Sequence, residues 1–202
     1  MKHLLIATKN PGKFLEISEA LHALPLRLIS LADLEISEDV AEVGETHEEN
    51  AILKARFYFE KTNLPTLAED SGIYVDAFPG ELGVQTRRWE GLHNATDKEW
   101  IEYFLGRMAL LPEEKRGAKF VCHAALILTP DDFSQPKIFT GETRGIITKN
   151  LEASLKPGIP ISSCFRPEGF SKVYAALSIT EKNRVSHRGK AMQAVKDFLM
   201  VS

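Results

Sequence analysis

The stretch Leu64-Pro-Thr-Leu-Ala-Glu-Asp70-Ser-Gly-Ile-Tyr-Val75 decides how this chain is read. An apolar run meets two acids, a hydroxyl and a glycine, then resumes as Ile73-Tyr74-Val75. The pattern predicts strand, sharp break, strand. Gly72 permits backbone angles that a residue with a Cβ resists, so the break is placed there. An acid stopped at a strand end beside such a break is aimed. Its carboxylate can hold a metal ion or take a proton from water. Glu-Asp-Ser-Gly alone also fits an ordinary acidic turn, so the flanking chain has to decide.

Before this stretch, His3 to Ala7 reads as a buried strand, and Phe14, Ile17, Leu21 and Leu24 recur at helical spacing. Asn10 suits the N-cap and Pro11 the first helical position. The loop between carries Thr8, Asn10 and Lys13 beside free helical N–H groups, a cradle for phosphate. It lacks the first glycine of a Walker A loop, and a plain capped connection accounts for it equally. Leu26 to Leu31 reads as a second strand. Residues 33–49 are densely acidic, Glu42 among them, as expected of a solvated face. Thr46-His-Glu-Glu49 matches a capping box that opens a helix through Ala51, Ile52, Ala55 and Phe59. Asn50 and Lys54 share one face of that helix. A helical lysine is ordinarily a surface lysine; this one lies one strand before Asp70, within reach of a shared cleft.

After it, Thr86-Arg-Arg-Trp89 reads as a surface salt-bridging pair beside an indole, and Asp97 to Leu111 as a helix burying Trp100, Phe104 and Met108. Phe120 to Leu128 is a strand buried on both faces, with His123 a hydrogen-bonded core histidine. Ile138–Thr140 and Gly145–Thr148 read as two short antiparallel strands, and Lys156 to Ser163 as an irregular loop. A last helix begins near Ser186 and buries Met192, Val195 and Leu199. Its first turn carries His187, Arg188 and Lys190, which oppose the macrodipole by roughly 0.3–1 kcal/mol each. Either something anionic or carbonyl-rich docks there, or the turn is simply solvated.

A chain of 202 residues, 44% hydrophobic and 26% charged, has core enough for one large domain or two closely joined lobes. With 25 basic against 28 acidic side chains there is no field for a nucleic-acid backbone. An anionic partner should be small and held locally. Cys122 and Cys164 make no disulfide framework, which favours the cytoplasm. Met1 to Ala7 is too short an apolar run for a secretory leader, and no stretch reaches membrane-spanning length.

Four segments have a meaning in order: Ala7-Thr-Lys-Asn-Pro-Gly-Lys13, Glu49-Asn-Ala-Ile-Leu-Lys54-Ala, Ala68-Glu-Asp70-Ser-Gly72 and Glu181-Lys182-Asn-Arg-Val-Ser186-His187-Arg188-Gly189. Together, across nearly the whole chain, they resemble the inosine/xanthosine triphosphate pyrophosphatase family. The likeness implies an α/β fold: an elongated mixed β-sheet flanked by helices, two lobes, and the active-site cleft between them, all within one domain, 1–202. It implies hydrolysis of non-standard purine nucleoside triphosphates (ITP, dITP, XTP) to monophosphate and pyrophosphate, with magnesium, by a homodimer. Thr8, Asn10 and Lys13 match the family's phosphate loop and Lys54 its phosphate-contacting lysine. Glu42 and Asp70 match positions linked to the metal, and Asp70 the acceptor of the attacking water's proton. Ser71 matches a substrate contact, and Lys182, His187 and Arg188 match contacts to the base.

One segment departs. The family's Phe-Gly-aromatic-Asp-Pro motif falls on Ile159-Pro-Ile-Ser-Ser163, so the stacking ring becomes Ile159 and the aspartate Ser162. A nearby Ala-Glu becomes Ala175-Ala176, and Tyr-Ser-Ala-Arg becomes Gln85-Thr-Arg-Arg88. Base–aromatic stacking is worth about 1–3 kcal/mol. Trp89, Phe165 and Phe170 are the rings available to compensate. The expectation is the family substrates bound with poorer affinity; the alternatives are a pyrophosphatase for a different nucleotide, or a nucleotide-binding module with little turnover.

Overall fold

The computed structural model describes residues 2–201. Six strands, β1 Lys2–Ile6, β2 Leu26–Ser30, β3 Thr66–Val75, β4 Gly117–Ile127, β5 Lys137–Ile147 and β6 Phe165–Pro167, form one sheet in the order β2-β1-β3-β4-β5-β6. The helices are α1 Pro11–Leu21, α2 His47–Thr62, α3 Asp97–Ala109, α4 Ile179–Val185 and α5 His187–Val201. β1 runs parallel to both β2 and β3, and the later pairs are antiparallel. This is the mixed α/β sheet the sequence implies.

Side-chain alternation along the strands sorts the helices onto two faces. Leu4, Ile6 and Leu67 pack with Ile17 and Leu21 of α1 and with Met192 and Val195 of α5. Leu5, Ala7 and Ala68 point the other way, to Ala51, Ala55 and Tyr58 of α2. A third core gathers Ile73, Val75, Trp89, Trp100, Phe104 and Phe165 at the other end of β3. The molecule is thus two lobes on one sheet. β1 pairs with β3 only at Leu5↔Thr66 and Ile6↔Leu67. Past Leu67, β3 runs on without β1 beside it, and a cleft opens at the carboxyl end of the parallel strands, where open α/β sheets take their ligands.

The caps behave as local chemistry dictates. Asn10 Oδ1 accepts from the Lys13 N–H at 3.1 Å, and the Thr46–Glu49 capping box closes the start of α2. Trp100, Phe104 and Met108 are buried in α3. Arg87 and Arg88 pair with Asp97 and Glu42 near the surface.

Three expectations change. There is no break at Gly72: β3 is continuous, its residues 66–75 all paired with β4, and Asp70 sits inside the strand rather than at its end. Gly72 answers a tertiary demand, since an added Cβ would stand 2.2 Å from the Gly83 carbonyl oxygen and 2.8 Å from His47 Cε1. The two short strands at 138–148 are one strand, β5. His123 is not a core residue: its side chain is 24% exposed and lies 3.6 Å from the Glu48 carboxylate. Gly72→Ala should therefore destabilise through overpacking, by about 1–3 kcal/mol, or about 2–12 °C in thermal midpoint for a chain of this size. An unchanged midpoint would mean that the Gly83 segment yields at no cost.

Candidate active site

Period two puts adjacent acids of β3 on opposite faces of the sheet. Glu69 turns toward α1 and α5 and meets Lys13 Nζ at 2.7 Å and Arg188 Nη2 at 3.6 Å. Asp70 turns toward α2. Its Oδ1 accepts from Lys54 Nζ at 2.9 Å and its Oδ2 lies 2.6 Å from His47 Nδ1. Lys54 Nζ also reaches Glu42 Oε1 at 2.9 Å. Burial alone would raise the Asp70 carboxyl; the His47 hydrogen bond and the Lys54 charge overturn this and hold it at about 2. Burial works against the Lys54 ammonium, but Asp70 and Glu42 prevail and raise it above its ordinary value. Glu69 is also buried, yet Arg188 and Lys13 keep it well below the usual carboxylate range.

At the other end of the cleft, Glu16 of α1 takes Lys182 on one oxygen and Arg188 on the other. Arg188 Nη2 donates to Ser71 Oγ at 2.9 Å, and Lys182 Nζ to Ser162 Oγ at 3.0 Å. The His187 ring stacks on Phe120 at 4.6 Å and 10°. Burial and the Arg188 charge drive its pKa well below the ordinary value, so the ring is neutral at pH 7. His187 Nδ1 is buried with no protein partner.

Every site residue named from the sequence lines one cleft of about 710 Å³: Thr8, Asn10, Lys13, Glu42, Lys54, Asp70, Ser71, Lys182, His187 and Arg188. The altered segment Ile159 to Ser162 lines it too; Ile159 packs against Gly12 at the start of α1, and the Gly158 carbonyl accepts from Asn10 Nδ2 at 2.7 Å. The rings expected to compensate do not reach it. Trp89 and Phe165 are buried in the third core and Phe170 lies outside the cleft; the rings on its wall are Tyr58, Trp100, Phe120 and the His187 imidazole.

Glu16, Glu69 and His47 were not singled out from the sequence. His47, Asn50 and Lys54 stand at helical spacings of three and four, a signal that was present. Glu16 lies among Phe14, Ile17 and Leu21, where a charged side chain stays buried only if paired. The basic first turn of α5 is likewise explained from inside: Glu16 and Glu69 supply the anions for Arg188, while Lys190 Nζ donates to the Glu142 carbonyl at 2.7 Å.

The donor set suits magnesium carried with a polyphosphate. Asp70 and Glu42 converge on one point, held by the Lys54 ammonium. Among the described residues no group of three or more His, Cys, Asp or Glu could hold a metal ion by itself. Magnesium characteristically takes one or two carboxylates and completes its shell with phosphates and water.

The fold and the cleft define an α/β protein whose two lobes enclose one cleft lined by Lys13, Lys54 and Asp70 together with Lys182, His187 and Arg188. The chain belongs to the Ham1 family, whose model matches residues 4–198. The dITP/XTP pyrophosphatase of Bacillus cereus is 36% identical over 197 residues, covering 98% of this chain and 94% of the relative. That of Geobacter sulfurreducens is 38% identical over 199 residues, covering 98% and 97%. A HAM1 protein from Coxiella burnetii superposes with a TM-score of 0.83 at 32% identity over 100% of both chains. The Ham1 protein of Staphylococcus aureus gives 0.78 at 31% identity over 98% of each. Among the described residues no helix is long and apolar enough to cross a membrane.

Proposed function

We propose that this chain hydrolyses non-standard purine nucleoside triphosphates, ITP, dITP and XTP, to monophosphate and pyrophosphate, and so clears them from the nucleotide pool. One observation carries the reading: Lys13, Lys54 and Asp70 share a single cleft with Lys182, His187 and Arg188. The names of the relatives, dITP/XTP pyrophosphatase, support the substrate class.

Lys13, Lys54 and the N–H groups at the start of α1 receive the phosphate chain. A phosphate that draws Lys54 away releases Asp70 Oδ1. Asp70 then takes a proton from the attacking water as its oxygen bonds to phosphorus, and the bridging P–O bond breaks with its electron pair leaving on pyrophosphate. Asp70 and Glu42 would hold magnesium, which would supply positive charge against the phosphates. His187 Nδ1, Arg188 and Lys182 face the oxo groups of a deaminated purine. Thr8 and Asn10 shape the phosphate loop, and Ser71 braces Arg188. A single domain spanning 1–202, a homodimer and a cytoplasmic location belong to the same reading.

The altered wall at Ile159 favours a second reading in which the phosphate chemistry is kept and the base preference shifted. A panel of standard, deaminated and modified triphosphates, followed by pyrophosphate release, separates the two. The expected result is highest kcat/KM for ITP, dITP or XTP; a different preferred base establishes the second reading, and nucleotide binding without turnover sinks both. Ile159→Phe with Ser162→Asp should lower KM for ITP by about five-fold or more, the low end of one stacking contact. An unmoved KM would show that another group already holds the base.

A further inference from the structure

We infer that His47 is a positioning residue for Asp70: its ring N–H fixes one carboxylate oxygen, so that only the other is offered to the cleft. The inference rests on the hydrolase reading of Asp70. His47 lies outside the four motifs that carry the family likeness, and it does not line the cleft.

The geometry is specific. Nδ1 lies 2.6 Å from Oδ2, with the His47 side chain 2% and the Asp70 side chain 9% exposed. An ionised carboxylate only accepts, so Nδ1 is the donor and the tautomer follows from the contact. The ring is itself held. Tyr74 meets it edge-on at 5.9 Å and 87°, and His123 lies along its face at 6.4 Å and 26°. The backbone at Gly72 approaches so closely that a Cβ there would crowd Cε1. Nε2 is buried with no partner, so no second hydrogen bond turns the ring away from Asp70.

The two holders of Asp70 differ in kind. Lys54 ends a long flexible side chain, has a second anion in Glu42, and faces the cleft, where a phosphate competes for it. His47 is short, packed on both sides and out of reach of the substrate. The terminal torsion of an aspartate is broad and nearly two-fold, so an unheld carboxylate can exchange its oxygens. A base that must meet a water aligned with phosphorus needs one oxygen at one place, and a small misplacement can cost about a hundred-fold in rate. When Lys54 turns to phosphate, the His47 bond remains and Oδ1 stays directed at the cleft.

The test compares the parent chain with His47→Phe, which keeps ring volume without the donor, and His47→Asn, which returns an N–H near the Nδ1 position. Kinetics on ITP with magnesium at one pH should show kcat reduced about 10- to 50-fold in His47→Phe with KM within about two-fold, in line with the misplacement cost above. His47→Asn should recover most of that loss. Full kcat in His47→Phe, or His47→Asn no better than His47→Phe, overturns the inference. Proton NMR of the intact parent gives a readout independent of turnover. A downfield imidazole N–H signal is expected, absent from His47→Phe and shifted or lost in Asp70→Ala. Its absence from the parent overturns the contact whatever the activity. A clear signal in a protein that releases pyrophosphate from no triphosphate overturns the hydrolase reading, and with it the catalytic half of this inference.

Discussion

Asp70→Asn should lower kcat for ITP by about 10²–10⁴-fold, the range a positioned general base supplies, while KM stays within a few-fold. The substitution keeps the shape of the side chain and an oxygen for Lys54. It removes the charge, and with it any capacity to take the water's proton. Lys54 keeps Glu42 at 2.9 Å, so the phosphate side of the cleft retains its cation. The fold should hold, since the buried lysine is not left alone. Two measurements check this: pyrophosphate release under saturating ITP, and a thermal midpoint within a few degrees of the parent. A variant that folds and turns over at a tenth of the parent rate or better would move the base elsewhere in the cleft.

The acid side of the same reaction has a defined sign. With its carboxyl held at about 2, Asp70 stays ionised through the mildly acidic range, and Lys54 is raised, so it stays charged through the mildly alkaline range. In the free enzyme neither group then limits kcat/KM between about pH 4 and 10. An inflection in that window belongs to the substrate or to a third residue.

What the sequence made legible was local. Asn10 and Pro11 open α1, and Thr46 with Glu49 opens α2, because a cap is decided by hydrogen bonds within four residues. Lys13, Lys54 and Asp70 were found together because their motifs keep a fixed order. What stayed hidden is set by partners far along the chain. Gly72 reads as a break, yet it is a smooth strand residue that leaves room for the Gly83 carbonyl. β5 reads as two pieces because Gly141 interrupts its apolar pattern, and that glycine lets the His187 carbonyl come within 2.0 Å of where a Cβ would be. Tertiary approach and local breakage leave the same mark in a sequence. Phe120 and Trp100 read as core by periodicity and both pack in the third core, yet each also borders the cleft, which periodicity does not show.

Glu16 tests the largest structural consequence of this arrangement. Its carboxylate is 4% exposed and is shared by Lys182 and Arg188, themselves 7% and 3% exposed. It thereby ties α1 to α4 and α5 and holds Lys182 and Arg188 at the wall of the cleft. Breaking a buried pair by removing one partner costs about 3–5 kcal/mol, because the remaining charge is left without compensation. Glu16→Gln should thus lower the thermal midpoint by roughly 6–20 °C at 2–4 °C per kcal/mol, and raise KM for ITP as Lys182 leaves its place beside Ser162. Arg188 keeps Glu69 at 3.6 Å, so most of the loss is assigned to Lys182. The double variant Glu16→Gln with Lys182→Met removes that stranded charge and should regain part of the midpoint without regaining KM, a coupling that the mutant cycle reads directly. Acid adds an independent check. Burial alone would raise Glu16, but Arg188 and Lys182 hold it below its ordinary 4.5. A depressed carboxylate contributes stability above its unfolded value and loses it as pH falls through the folded one. The parent should therefore weaken more steeply than Glu16→Gln below about pH 4.5, and the two stabilities should converge. Equal midpoints at pH 7.5 would mean that Lys182 finds another anion or loses its proton, and that α1 is held to α4 and α5 by apolar contact alone.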